Sequence, residues 1–315
     1  MKLKEVIKEQ IESKKYSIKE RTYLFYKQQV FIHIEEEIGN IDLKEITQDV
    51  INDYIINKYK SGNKNTGKEL SYSSTKLLIG IINRGLQYAY KKKYISEKLE
   101  VEVTIKNNDF KKVYALSREE QKKLEKYILE KKKTYSYGIL LSLYTGMRLG
   151  ELLALKWENI DFKNKVILVN KTICRVSDGS KTKLIEDTPK TQSSCREIPI
   201  NNCVIALLKE LKQYQQNNSE YVVSRIKGKR LETRSYQDSF SRILKKLKIK
   251  HYGFHSLRHT FATRSLEIGV DIKTLSELLG HTNPTITLNR YVHSNMDLKR
   301  NAINKLTKSI WSVGK

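Results

Sequence analysis

The sequence predicts a mainly α-helical chain with a small antiparallel β-sheet, an α+β fold in two domains. Apolar residues recur at steps of three and four along most of the chain. Runs reading as strands are confined to residues 166–200. A length of 315 residues exceeds what one core usually serves.

From the N-terminus, residues 1–12 read as a short leading segment ahead of a helical domain over 13–107. An amphipathic helix runs from Ser17 past Ile34 and stops at Gly39. A second follows Thr47 and ends near Lys60, and a third runs from Ser71 through Leu78, Ile82 and Leu86 to Lys93. The pattern breaks between Ile95 and Tyr114, which reads as the interdomain connection, its linker proper at 108–113.

The second domain, 114–295, opens at Ser117-Arg-Glu-Glu120, a capping box. A buried helix is expected over 137–144, then strands over 166–169, 172–176 and 196–200, the last two separated by a polar loop containing Pro189. Helices resume over 204–214, 238–247, 255–268 and 272–279, the last two ended by Gly269 and Gly280, with a short one opened by Asn283-Pro284. Residues 296–315 form a tail whose Met296, Leu298, Ala302, Ile303, Leu306, Ile310 and Trp311 make an apolar stripe on one helix.

Sixty Lys and Arg against 35 Asp and Glu leave a net charge of +25. That excess points to a polyanionic partner, and nucleic acid is favoured over an acidic membrane. No stretch approaches the roughly 20 consecutive apolar residues of a spanning helix, and Met1-Lys-Leu-Lys-Glu5 lacks the apolar run of a secretion signal. Cys174, Cys195 and Cys203 are odd in number and have no CxxC spacing, so neither a disulfide framework nor a zinc knuckle is implied. A cytoplasmic, nucleoid-associated protein is the simplest reading.

Two motifs fail on inspection. Gly62 to Glu69 nearly spells a phosphate-binding loop, but Glu69 stands where Ser or Thr must follow Lys68, and no apolar strand precedes it. His255 and His259 have the spacing of zinc-protease ligands, but Ser256 replaces the glutamate base.

Other residues gain meaning together. Arg148 lies between Gly146 and Gly150 at the end of an apolar helix, where a guanidinium must be paired or meet an anion. Lys190 follows Pro189 in the strand connection, His255 and Arg258 are three apart on one helix, His281 follows Gly280, and Tyr291 follows Arg290. Each has a bland reading by itself: Arg148 could be a structural partner of Glu151, Lys190 is one of several lysines near these strands, and Tyr291 is one of 19 tyrosines. In this order and spacing they resemble the tyrosine recombinase (phage integrase) family, over residues 114–293 by motif and 13–107 by fit to that family's helical core-binding, SAM-like domain.

The resemblance implies a site-specific DNA recombinase that cuts and rejoins DNA through a 3′-phosphotyrosine bond, with a tyrosine-recombinase catalytic domain. It implies Tyr291 as nucleophile, Arg148, Lys190, His255, Arg258 and His281 as catalytic residues, and Glu151 as an acidic support. His259 and His293 read first as core or surface residues. The chemistry suits the residue types. Two guanidiniums grip the charge that builds on non-bridging phosphate oxygens. Lys190 is expected to protonate the leaving 5′ oxygen and His255 to take the phenolic proton. No metal, cofactor or ATP is expected, since the arginines and lysine supply the electrostatics and the phosphotyrosine bond retains the energy of the broken one.

The partner expected is double-stranded DNA with inverted half-sites, encircled by the two domains and bound mostly through phosphates. Lys76, Arg84 and Lys91 are candidate DNA contacts, though a solvated basic face explains them equally well. With about a dozen residues ahead of the first expected helix, the separate arm-site-binding domain that some members of the family carry is not expected here. By resemblance the tail docks on a neighbouring protomer, giving a homotetramer in the synaptic complex and a monomer or weak oligomer without DNA. A directionality factor is a further possible partner. Integration and excision of a mobile element is the leading role. The alternatives are chromosome-dimer resolution, a relaxing topoisomerase, and a non-cleaving regulator on the same scaffold.

Overall fold

Leu3, Val6, Ile7 and Ile11 fall at helical spacing, and all four are buried. The chain therefore opens with helix α1 (Leu3–Ser13), its start tied down by the Lys2 N–H donating to the Glu5 carboxylate at 2.9 Å. This corrects the expectation of a leading segment over 1–12; the signal was present but hidden among seven charged or polar neighbours. The computed structural model describes residues 1–107, 114–177, 182–188, 195–215, 219–224, 230–291, 300, 303–304 and 306–307. It divides into two compact units, Met1–Lys111 with Arg175–Ile185, and Lys112–Cys174 with Glu186–Lys315.

In the first unit, α2 (Glu20–Gln29) continues into a π-helical turn (Val30–Ile34), followed by a short 3₁₀ turn (Ile38–Asn40). Then come α3 (Gln48–Ser61), capped by the Thr47 hydroxyl, and α4 (Tyr72–Lys91), capped by Ser71. Helix α4 packs against α1 at Gly85, where a Cβ would stand 2.5 Å from Ile7 Cγ1. Residues 95–107 carry no regular structure but are not a free linker. Ile95, Leu99, Val101 and Val103 pack on the unit's core, and the Val101 and Glu102 N–H groups donate to Asn83 and Asn52. The alternation seen in the sequence reflects this strap, with its apolar side chains turned inward.

The second unit is built around α6 (Thr134–Thr145), whose residues 136–143 are all buried. Around it lie α5 (Arg118–Lys131), with the expected Ser117/Glu120 capping box, and α7 (Leu149–Ala154). The strands of the chain are β1 (Ile160–Asp161), β2 (Val166–Val169), β3 (Thr172–Ser177), β4 (Thr182–Asp187) and β5 (Arg196–Pro199); the stretch Arg175–Ile185, with the end of β3 and most of β4, groups with the first unit. Where the sequence led to one small sheet, the strands form two: β1-β2-β5, antiparallel, and a separate β3-β4 pair. Strand β4 was read as loop because Lys183, Glu186 and Asp187 mask its alternation. Five helices complete the unit: α8 (Asn202–Tyr214), α9 (Thr233–Lys246), α10 (His255–Glu267), α11 (Ile272–Leu279) and α12 (Pro284–Tyr291). Helices α8 and α10 pack on α6, and α11 meets both α10 and β5.

A buried polar cluster in the first unit sets a pH response. His33, on the π-helical turn, is 8% exposed. Burial, then the charges of Lys58 and Lys64, hold its imidazole below the ordinary histidine value, against the opposing pull of Glu37. Glu37 in turn pairs with both lysines, at 2.5 and 3.0 Å. The folded state thus binds fewer protons at His33 than the unfolded chain does, and stability rises with pH. His33's contribution is complete above about pH 6.5, the unperturbed value, and is lost as pH falls through the lower folded value. Melting curves of the protein and of His33→Gln between about pH 8 and pH 5 should converge on acidification, because the variant has no imidazole to charge. Curves that stay parallel would refute the assignment.

Candidate active site

A helix of eight residues, α11, ends at Gly280 in the left-handed conformation, φ +62°. The last carbonyls of a helix have no intrahelical donor and carry its negative dipole end, so cations satisfy them best. Here three successive carbonyls take three different guanidiniums. Leu278 O accepts from Arg196 Nε at 2.6 Å, Leu279 O from Arg258 Nη2 at 2.7 Å, and Gly280 O from Arg148 Nη2 at 3.0 Å.

The arginines arrive from three elements. Arg258 lies one turn into α10, is 1% exposed, and also donates through Nη1 to Gly146 O, at the C-terminal end of α6, at 2.9 Å. Arg148 is the N-cap of α7, its side chain 34% exposed. Gly146 makes the turn between α6 and α7 with φ +68°, and a Cβ there would meet Phe261 at 2.6 Å and Leu279 at 2.9 Å. Arg196 begins β5, opposite Val169, on the same buried face as Ile198.

Glu151 joins two of them. Its Oε1 accepts from Arg148 Nη1 at 2.7 Å, and its Oε2 from the Arg148 backbone N–H and from Arg196 Nη2, both at 2.9 Å. Burial by itself would raise the carboxyl's pKa, but the Arg196 and then the Arg148 guanidinium outweigh it and hold Glu151 below the usual carboxylate range. The residue is a charged clamp, with Arg148 as its ion-pair partner within a larger cluster.

His281 follows directly. Its Nδ1 shares a 2.7 Å hydrogen bond with Thr287 Oγ1, a fully buried hydroxyl on α12, so the imidazole is tied to the helix whose last residue is Tyr291. His255 is the first residue of α10 and is exposed; its ring meets that of His259 edge-on, centroids 4.6 Å apart. The structure therefore brings together Arg148, Glu151, Arg258 and His281, and places His255 one helical turn from Arg258. Lys190 lies outside the described residues, as does His293; Tyr291 is described as backbone only. Among the described residues no group of three His, Cys, Asp or Glu side chains is placed to hold a metal ion.

Sequence reasoning missed Arg196 and Thr287. Arg196 was discoverable: in Arg-Glu-Ile-Pro it shares parity with Ile198, which puts a charge on the core face. Thr287 left no such signal. The candidate DNA contacts all lie on α4. Lys76 and Lys91 are exposed, with Lys76 Nζ 5.2 Å from the centre of the Tyr72 ring; Arg84 is half-buried, its guanidinium 4.9 Å from the centre of the Tyr26 ring.

The profile described as the phage integrase family matches residues 103–297. The chain belongs to the phage integrase family. It is 31% identical to the tyrosine recombinase XerC-like protein of Caldanaerobacter subterraneus subsp. tengcongensis, over 87% of this chain and 75% of that one. It is 28% identical to the transposase of transposon Tn916 from Enterococcus faecalis, over 61% of this chain but only 51% of that one. Among solved structures, the Tn1549 transposon integrase in complex with a circular intermediate DNA superposes with a TM-score of 0.78, covering 97% of this chain and 99% of that one at 23% identity, a likeness of fold. No helix among the described residues of this integrase-family chain is long and apolar enough to cross a membrane.

Gly280 is held close to Arg196. A Cβ there would lie 3.0 Å from both Cδ and Nη1 of Arg196, on top of the left-handed backbone. Gly67 has a similar φ, +65°, and nothing within 4 Å of a Cβ. Both Gly→Ala changes should cost about 1–2 kcal/mol for the backbone, and Gly280→Ala measurably more in urea denaturation. Equal costs would show that Arg196 yields freely.

Proposed function

We infer that this chain is a site-specific DNA recombinase that cuts and rejoins DNA through a covalent 3′-phosphotyrosine intermediate. The observation that carries this reading is the row of three guanidiniums on the carbonyls of residues 278–280, beside His281 and one short helix ahead of Tyr291. Three buried or half-buried guanidiniums against one carboxylate leave an excess of positive charge, which suits a phosphodiester anion.

The Tyr291 oxygen attacks the scissile phosphorus and displaces the 5′ oxygen, so one phosphoester bond forms as one breaks. His255 takes the phenolic proton and Lys190 supplies one to the leaving oxygen. Arg148 and Arg258 hold the non-bridging oxygens. Each already spends donors on the carbonyl row, which fixes the plane of the fork before DNA arrives. With Nδ1 engaged by Thr287, His281 meets the phosphate through Nε2. Return attack by a DNA hydroxyl reverses the step and seals the strand without ATP.

The substrate is a duplex with two inverted half-sites, exchanged by four copies of the chain, with Lys76, Arg84 and Lys91 on the DNA-facing side of α4. The element served is a mobile one; the resemblance to a XerC-like recombinase supports chromosome-dimer resolution as the second reading.

Covalent trapping tests the chemistry. With nicked DNA carrying the attachment site, in EDTA, the protein should form an adduct on a denaturing gel and Tyr291→Phe should form none. Binding of that DNA without an adduct from either protein would point to a non-cleaving regulator.

The tail is proposed to link protomers. Its Ile303 and Leu306 are 62% and 57% exposed, leaving apolar surface for another chain. Deleting residues 296–315 should leave single-site binding intact and abolish recombination between two sites; recombination at the normal rate would rule out the linking role.

A further inference from the structure

Arg196 was named by no motif, and its position needs a reason. It occupies a core-facing site in β5, opposite Val169 and two residues from Ile198, where an aliphatic side chain would satisfy the packing. Buried ion pairs seldom add more stability than well-packed apolar residues, so an arginine 8% exposed is better explained by what it holds.

It holds two things at once. Nε reaches Leu278 O at 2.6 Å and Nη2 reaches Glu151 Oε2 at 2.9 Å. The other oxygen of the same carboxylate carries the Arg148 guanidinium at 2.7 Å. Arg196 therefore lies between the end of α11, from which Arg148 and Arg258 hang, and the carboxylate that orients Arg148. The absence of a Cβ at Gly280 lets its side chain pass close to that turn.

We propose that Arg196 is a positioning residue for DNA cleavage, keeping Glu151 an ionised clamp on Arg148 and fixing the carbonyl row that aligns the arginines with His281. The role rests on the recombinase reading above. The charged groups facing Glu151 are Arg148, from the N-cap of its own helix, and Arg196, from β5. Removing the Arg196 charge leaves burial, which opposes ionisation, with one counter-charge instead of two. On protonation Glu151 loses its grip on Arg148.

The experiment is single-turnover cleavage of the nicked substrate from about pH 8.5 to pH 6 by the full-length protein and by Arg196→Met, Arg196→Lys, Glu151→Gln and Glu151→Gln/Arg196→Met. The ratio of wild-type to Arg196→Met rates should grow as pH falls, on the order of tenfold over that range, with DNA affinity changed less than about twofold. Arg196→Lys, which keeps the charge but loses the fork, should be slower than wild type without the acid-dependent loss. In the Glu151→Gln background, Arg196→Met should add no pH dependence and less than its separate effect. A pH-independent loss that multiplies fully with Glu151→Gln would reduce Arg196 to a packing residue and overturn the proposal, as would unchanged cleavage.

Thermal melting of the same variants separates this proposal from the function it rests on. With Arg196 gone, the folded-state carboxyl is raised, so the stability deficit of Arg196→Met should widen as pH rises from about 4 to 8 and should not widen in the double variant. A widening deficit in a protein that forms no adduct at any pH would establish the pairing, refute the recombinase reading, and with it the positioning role. A deficit that does not widen would refute the pairing itself.

Discussion

The second unit depends on how one helix ends. At the C-terminus of α11 the carbonyls of Leu278, Leu279 and Gly280 would be orphans, and each is taken by a guanidinium from a different element: β5, α10 and the N-cap of α7. A helix end can gather cations this way because its unsatisfied oxygens and its dipole act on the same side. The arrangement needs a left-handed residue to turn the chain away, and Gly280 provides it without a Cβ to displace Arg196. Gly146 does the same at the end of α6, whose carbonyl takes the other side of Arg258.

The cluster has a cost that explains its composition. Buried guanidiniums are tolerated only when desolvation is offset by charge and hydrogen bonds, and one carboxylate, Glu151, serves two of them. The same economy leaves the group short of negative charge. That deficit is what a phosphodiester in the site would fill, so the interactions that hold the unit together also prepare its chemistry. Rigidity matters too, since a fork already fixed by backbone carbonyls loses little freedom when an anion arrives. His281, tied through Thr287 to α12, extends this fixed frame towards Tyr291.

The first unit shows the same reliance on local physics. Two of its helices, α3 and α4, are capped by the Thr47 and Ser71 hydroxyls, and α4 lies on α1 because Gly85 has no side chain to hold them apart. The polar stripe of α4, with Lys76, Arg84 and Lys91, carries no acidic residue. Its aromatic neighbours Tyr72 and Tyr26 lie beneath two of these cations, which restrains long side chains that would otherwise be mobile. The helix absent from the sequence reading, α1, was missed because Lys and Glu outnumber its apolar residues; burial of Leu3, Val6, Ile7 and Ile11 reveals the face.

By itself the sequence determined the fold class, the capping box at Ser117, the chain order of the reactive residue types and the family. These are encoded locally, in spacing of three and four, in capping residues and in short motifs such as His-x-x-Arg over 255–258. Only the tertiary structure decided that the strands form two sheets, that residues 95–107 belong to the first unit's core, and that Arg196 joins Arg148 and Arg258. Strand pairing and ion clusters join residues far apart in the chain, Arg148 to Gly280 and Arg196 to Leu278 among them. Whether a charged side chain points to water or to a helix end depends on what packs around it, and the linear pattern carries no record of that.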